Sequence, residues 1–321
     1  MTRVGAANTR RNRWKIVGAL ASLVALVAVA VLIWLVIDEL VDRPPTAADL
    51  TEQAGLVGTA ELRVGVKDDI PGVAYRDPET GEFSGFDIDI AYMIAADLGF
   101  QPHQVRFMVI EDEDRPKMRA RDGDKHITVH LVIAHYSINK TREDEARVSF
   151  SAPYLFTEQS VMTRRGHTPV HDMSDLAGRP VCTVSTSTSM SPAEEADADV
   201  MPKQNYAECL RGLRDGTFEA VTSDAAILAG FVAAEPEVFE HHDIGLALTE
   251  SWGVNTGGNE ALRTLVNMSL RCSLTDPNDR DWEDAYDKHL RPIEKVNLPQ
   301  PVAIDEQPQV DEVNVRGTPC E

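Results

Sequence analysis

The sequence predicts an α/β fold held at a membrane by a single N-terminal helix. Three observations predict it. A basic head of 15 residues precedes 22 residues without a charge. Beyond them, strand-like apolar runs alternate with helical patterns from about residue 61 to 290. The acids gather in the body of the chain, away from that head.

The anchor comes first. Residues 1–15 hold Arg3, Arg10, Arg11, Arg13 and Lys15 and no acid. Ile16 to Ile37 reads IVGALASLVALVAVAVLIWLVI. A bilayer core needs about 20 apolar residues as a helix. A signal-peptide core is only about 7–15 residues, so this run is too long for one. Ala28-Val29-Ala30 has the small residues of a cleavage site, but seven more apolar residues follow it. Residues 9–15 match a twin-arginine export signal only loosely, because Arg13 and Trp14 replace its apolar pair. The positive-inside rule puts residues 1–15 in the cytoplasm and the body outside the cell membrane. Trp34 sits near the outer end, where an interfacial aromatic belongs. No cysteine precedes Cys182, so the helix itself is the expected anchor.

Past the anchor lies the body. The chain of 321 residues has a net charge of −21, and residues 44–321 hold 25 basic and 49 acidic residues. So acidic a surface excludes bulk nucleic-acid binding, which needs clustered Lys and Arg. The 43 % hydrophobic content is enough for a core. Residues 38–59 are polar, contain Pro44-Pro45 and read as a stalk. Leu62 to Val66 is a strand candidate. Asp87 to Leu98 has helical spacing, with Asp87 as its N-cap and Gly99 ending it. Strands are expected at 130–134, 181–184 and 220–222, and helices at 206–213, 225–234 and 260–270. Such alternation argues for mostly parallel sheets, and about 230 residues suit two lobes. Five prolines after Arg291 mark residues 296–321 as an extended tail. The four cysteines, 182, 209, 272 and 320, allow three full pairings.

Motifs for catalysis are missing. There is no HExxH, CxxC, GxSxG or phosphate-cradling glycine loop, and His241-His242 lacks the spacing of metal ligands. Five other segments carry a resemblance. Gly81–Ala91 (GEFSGFDIDIA) is similar to the GFDVDLA segment of the amino-acid-binding proteins of ABC transporters, extracellular solute-binding family 3. Leu131–Arg142 (LVIAHYSINKTR) resembles that family's DLVIAxYSI(T/N)xxR, and Ser149–Tyr154 its DFSxPY. Asp175–Val181 resembles its DLAGKxV, and Gly216–Asp224 its GxVDAVxxD. The five keep family order across about residues 60–290.

The resemblance implies a two-lobed periplasmic-binding-protein type II fold behind the single N-terminal transmembrane helix. Lobe 1 is expected at 60–155 plus 253–295 and lobe 2 at 158–250, with two strands joining them and the ligand between. It implies that Arg142 grips a ligand α-carboxylate and Asp224 its α-ammonium. Ser137, Tyr136, Ser187 and Thr188 complete the site. The chemistry agrees: a planar guanidinium takes a carboxylate bidentately, and a carboxylate accepts an ammonium. Away from the motifs, Arg142 would read as a solvated helix charge and Asp224 as a helix N-cap.

The loop Lys67–Arg76 resembles the glutamate-type members, which gives glutamate, then aspartate or glutamine, as the expected ligand. A second carboxylate needs a second cation, and Arg76 or Lys67 supplies it. The resemblance also implies that Cys182 pairs with Cys209, which leaves Cys272 with Cys320. The partners implied are a free amino acid and ABC permease subunits, with the chain a monomer; no cofactor, metal or catalytic residue is implied. Three departures stand out. Thr186 replaces the usual Gly before Ser-Thr, His130 and Glu219 replace motif aspartates, and residues 111–126 are unusually charged. Two other readings stay open: a sensor domain signalling to a membrane partner, and a relative that no longer binds.

Overall fold

The computed structural model describes residues 22–34, 43–245, 249–297 and 300–317. The chain divides into two compact units, 1–46 with 314–316 and 47–313 with 317–321. In the first, residues 22–34 are helical with exposed side chains. Among the described residues no helix is long and apolar enough to cross a membrane. The basic stub, residues 16–21 and 35–37 of the expected span, and residues 38–42 of the stalk lie outside the described residues.

The second unit is built on one mixed sheet. Its strands are β1 (Leu62–Val66), β2 (Val105–Val109), β3 (Leu131–Val132), β4 (Phe150–Arg164), β5 (Pro180–Val184), β6 (Asp199–Lys203), β7 (Ala220–Asp224), β8 (Phe239–His242) and β9 (Thr249–Asn255). Their order is β6-β5-β7-β4-β9-β3-β1-β2, with β8 also on β4. β1 pairs in parallel with β2 and β3, and β5 in parallel with β6 and β7. The expectation of mostly parallel sheets fails at the centre, where β4 and β9 run antiparallel to their neighbours. They are the crossing strands. β4 meets β9 through Phe150–Glu158, then β7 through Gln159–Thr163. Opposite Gly253 the ladder shifts register at Pro153, which has no N–H to give.

Helices cover the sheet. Helix α1 (Phe86–Asp97) buries Ile88, Ile90 and Ile94 completely. Gly85 caps it at φ 131°, where an added Cβ would lie 2.3 Å from the Val73 carbonyl oxygen. Only glycine fits there. Asp87 is therefore not the N-cap; it lies inside the first turn and is fully buried. Its carboxylate accepts Tyr154 Oη at 2.8 Å and the His135 backbone N–H at 2.9 Å. It thus ties α1 to β4 and to the loop after β3. Helix α2 (Tyr206–Asp215) is linked to β5 by a Cys182–Cys209 disulfide, as expected. Cys272 is also disulfide-bonded, and Cys320, the partner expected for it, lies outside the described residues. Helix α3 (Ala225–Ala234) follows β7; α4 (Glu260–Thr275) and α5 (Asp281–His289) follow β9, and α5 packs on α1.

The tail is extended but packed. Asn297 Nδ2 donates to the carbonyls of Ala229 (3.2 Å) and Ile293 (2.8 Å). Its Oδ1 is therefore free to accept Nδ1–H of His241 at 2.8 Å, and His241 Nε2 takes the Ser160 hydroxyl at 2.6 Å. Burial holds His241 at about 4, so it stays neutral. This Ser-His-Asn series sits in the core with Ser160 wholly buried, so it is structural. Gln300 Nε2 donates to Glu158 at 2.6 Å and Thr157 to the Val302 carbonyl at 2.7 Å. The Ile304 N–H donates to the Phe156 carbonyl at 2.9 Å. Farther on, Gln307 Nε2 donates to the Leu270 carbonyl of α4. The tail therefore runs along the crossing strand.

Gln300→Leu should cost about 1–3 kcal/mol by urea denaturation, because buried Glu158 loses its donor.

Candidate functional site

The loop after β3 sets the lobe 1 side. Asp87 holds His135, whose φ is 39°. β9 holds the next residues of the loop: Ile138 N–H donates to the Ser251 carbonyl, and Gly253 N–H to that of Tyr136. Asn139 then caps a short helix, Lys140–Glu143, by accepting the Arg142 N–H at 3.0 Å. Arg142 consequently points inward and is 8 % exposed. Its Nη1 donates to the Ser137 carbonyl at 2.7 Å. Its Nη2 donates to the Thr186 carbonyl, on the other lobe, at 2.8 Å. Among the described residues Arg142 makes no ion pair. Burial, then Arg115 beside it, bring it down to about 10. It remains charged at neutral pH.

Arg115 is the residue that the sequence hid. It lies in the charged segment 111–126 yet is 3 % exposed. Its guanidinium and that of Arg142 both face the Tyr136 ring, at 4.5 and 4.8 Å. It donates to the Ala134 carbonyl at 3.1 Å and stands 3.6 Å from Asp112. Lys67, also buried, is 3.5 Å from Asp112. Burial pushes Asp112 up, but Arg115 and Lys67 outweigh it and hold the carboxyl at about 2.

Lobe 2 supplies the opposing groups. β7 ends at Asp224, 4 % exposed, at the N-cap position of α3. Its carboxylate makes no cap bond; it accepts Trp252 Nε1–H from β9 at 2.6 Å. Burial, and then Glu250 nearby, raise Asp224 to about 7. Asp87 is raised to about 7 by burial as well. Between about pH 4 and 7 both keep protons that the unfolded chain has lost, so each lowers stability as pH rises through that window. Asp112 acts oppositely: its stabilising share is present above about 4 and lost as pH falls towards 2.

Arg142, Ser137, Ser187, Thr188 and Asp224 line one inner cleft between the lobes, with a cavity of about 10 Å³. That is about the space of one water, so a larger solute needs the lobes to part. Tyr136 lies behind the two guanidiniums. Thr186 has φ 67°, a conformation that glycine adopts without strain. Arg76 is not brought to this cleft. It is exposed, and its Nε donates to the Gly81 carbonyl at 3.2 Å beside the Phe83 ring. Its loop folds back on itself as a short antiparallel ladder, Tyr75 opposite Ser84. Arg115 lines the cleft in its stead, whereas Lys67 lies outside the cleft lining, against Asp112. No group of His, Cys, Asp or Glu among the described residues is arranged to hold a metal.

Two lobes joined by antiparallel crossing strands, with a guanidinium and a carboxyl lining the cleft between them, are the architecture of a periplasmic binding protein. The chain belongs to the bacterial extracellular solute-binding proteins, family 3, whose pattern matches residues 62–295. These are binding proteins rather than enzymes. The ABC transporter glutamine-binding protein GlnH of Bacillus subtilis is 30 % identical over 243 residues, 74 % of this chain and 84 % of that one. The glutamate-binding protein GluB of Corynebacterium glutamicum is 30 % identical over 245 residues, 68 % and 79 %. Among solved structures, an ancestral arginine-binding protein bound to arginine is 27 % identical with a TM-score of 0.61, covering 72 % of this chain and 98 % of that one.

Trp252→Phe should move the Asp224 ionisation, followed by carboxyl NMR, above about 7, because the bond that it removes lowers that value. Its cost in stability should be about 1–3 kcal/mol.

Proposed function

We propose that this protein captures an acidic or polar amino acid in the interlobe cleft and delivers it to an ABC permease. Glutamate is the preferred ligand, then aspartate and glutamine. The observation that carries this reading is the buried Arg142 guanidinium, held by two neutral carbonyls and by no carboxylate among the described residues. A buried cation without a counter-ion is costly, and an incoming carboxylate removes that cost. Asp224, on the other lobe, is the acceptor for an ammonium. A zwitterion then bridges the lobes and favours the closed state by differential affinity.

Arg115, the second cation lining the cleft, supports a ligand whose side chain ends in a carboxylate or a carbonyl. The names of the relatives, glutamine-binding GlnH and glutamate-binding GluB, point the same way. The apolar run Ile16–Ile37, following five basic residues, supports a single-pass anchor with the lobes outside the cell. In this reading the anchored domain acts as a monomer beside the permease.

A thermal-shift screen of the twenty amino acids tests the ligand. Glutamate at about 100 times its Kd should add about 2.7 kcal/mol of stability, and Arg142→Ala should remove that gain while leaving the unliganded melt cooperative. A flat response to all twenty would favour a relative that no longer binds.

A further inference from the structure

The inner cleft shares two walls with a second, larger space. Arg115 and Arg142 line the cleft and also a cavity of about 600 Å³. Three more cations line the larger cavity and not the inner cleft: Lys117, Arg119 and Arg147, all exposed. Lys117 pairs with Asp114 at 3.0 Å, whereas Arg119 and Arg147 form no ion pair among the described residues. Of the acids in the wall, Asp112 faces Lys67 and Arg115, and Glu113 accepts the Ser185 hydroxyl. Glu145 is exposed. The cavity thus carries five cations and three acids in a chain of net charge −21.

We propose that this cavity is a vestibule through which an anionic ligand reaches the cleft. Arg119 and Arg147 draw the anion in, and Arg142, which belongs to both spaces, receives it. The inference rests on the reading of the ligand as an acidic amino acid. It answers a difficulty in that reading: an acidic protein repels glutamate. At physiological salt a charge is screened beyond about 8 Å. The surface within that reach of the ligand therefore decides the encounter, and a wall with an excess of one sign, here five cations to three acids, raises the association rate. Segment 111–126, whose charges the cleft chemistry only partly uses, thereby acquires a role.

Stopped-flow binding to the full chain, with L-glutamate and L-glutamine as probes, tests this. Arg119→Glu/Arg147→Glu should slow glutamate association by about threefold to tenfold at low salt. The difference should vanish at about 0.5 M salt, with dissociation unchanged. Glutamine, with no net charge, should associate as before. The control Arg211→Glu/Arg263→Glu makes the same charge change elsewhere and should leave glutamate association near that of the wild type. Equal slowing by the two double variants, or a change confined to dissociation, would overturn the vestibule alone. A wild-type chain that binds neither amino acid would overturn the ligand reading and the vestibule together.

Discussion

The structure turns on one buried guanidinium. Arg142 is held between the Ser137 carbonyl of one lobe and the Thr186 carbonyl of the other. Each carbonyl accepts one of its five N–H donors without cancelling its charge, and Arg115 adds a second cation on the same Tyr136 ring. Two cations this close in the interior repel each other, which is part of why Arg142 falls to about 10. Asp112 offsets Arg115 and Lys67 but makes no pair with Arg142. The cleft is left with a positive end, where the carboxylate of the proposed ligand is expected.

The opposite end is controlled by burial. Asp224 is raised into the neutral range, so near pH 7 it is in part a neutral carboxyl, bonded to Trp252. An ammonium placed beside it would restore the ionised form. Trp252 lies on β9, one of the two crossing strands, and β4 supplies Tyr154, which holds Asp87 and through it the His135 loop. The strands that join the lobes therefore also aim both halves of the site. The tail runs along the same β4, bonding Phe156, Thr157 and Glu158 in turn.

Much of this was legible in the sequence where periodicity and burial agree. Leu62–Val66 and Ala225–Ala234 have the bounds that their apolar runs suggest. The helix expected at 260–270 continues to Thr275, because its last turn buries Cys272 and Ser273 among polar residues. The long β4 went unread, since both its faces are buried and include Thr157, Gln159 and Ser160, whose polar groups find partners only after folding. Motif residues from two distant segments, Arg142 and Asp224, do meet in one cleft. Arg115 was illegible for a physical reason: in an acidic segment a buried arginine and a solvated one look alike until Tyr136 and Asp112 surround it. Arg76 misled for the converse reason, because its loop turns it towards Phe83.

In the proposed function a ligand ammonium converts Asp224 from a part-protonated carboxyl into a carboxylate as the ligand carboxylate meets Arg142. Calorimetry of glutamate binding at pH 7, in two buffers of different ionisation heat, tests it most directly. With Asp224 near 7 in the free protein, binding should release about half a proton per ligand, and Asp224→Asn should abolish that release. Tight binding without proton release, or release undiminished in the variant, would contradict the account.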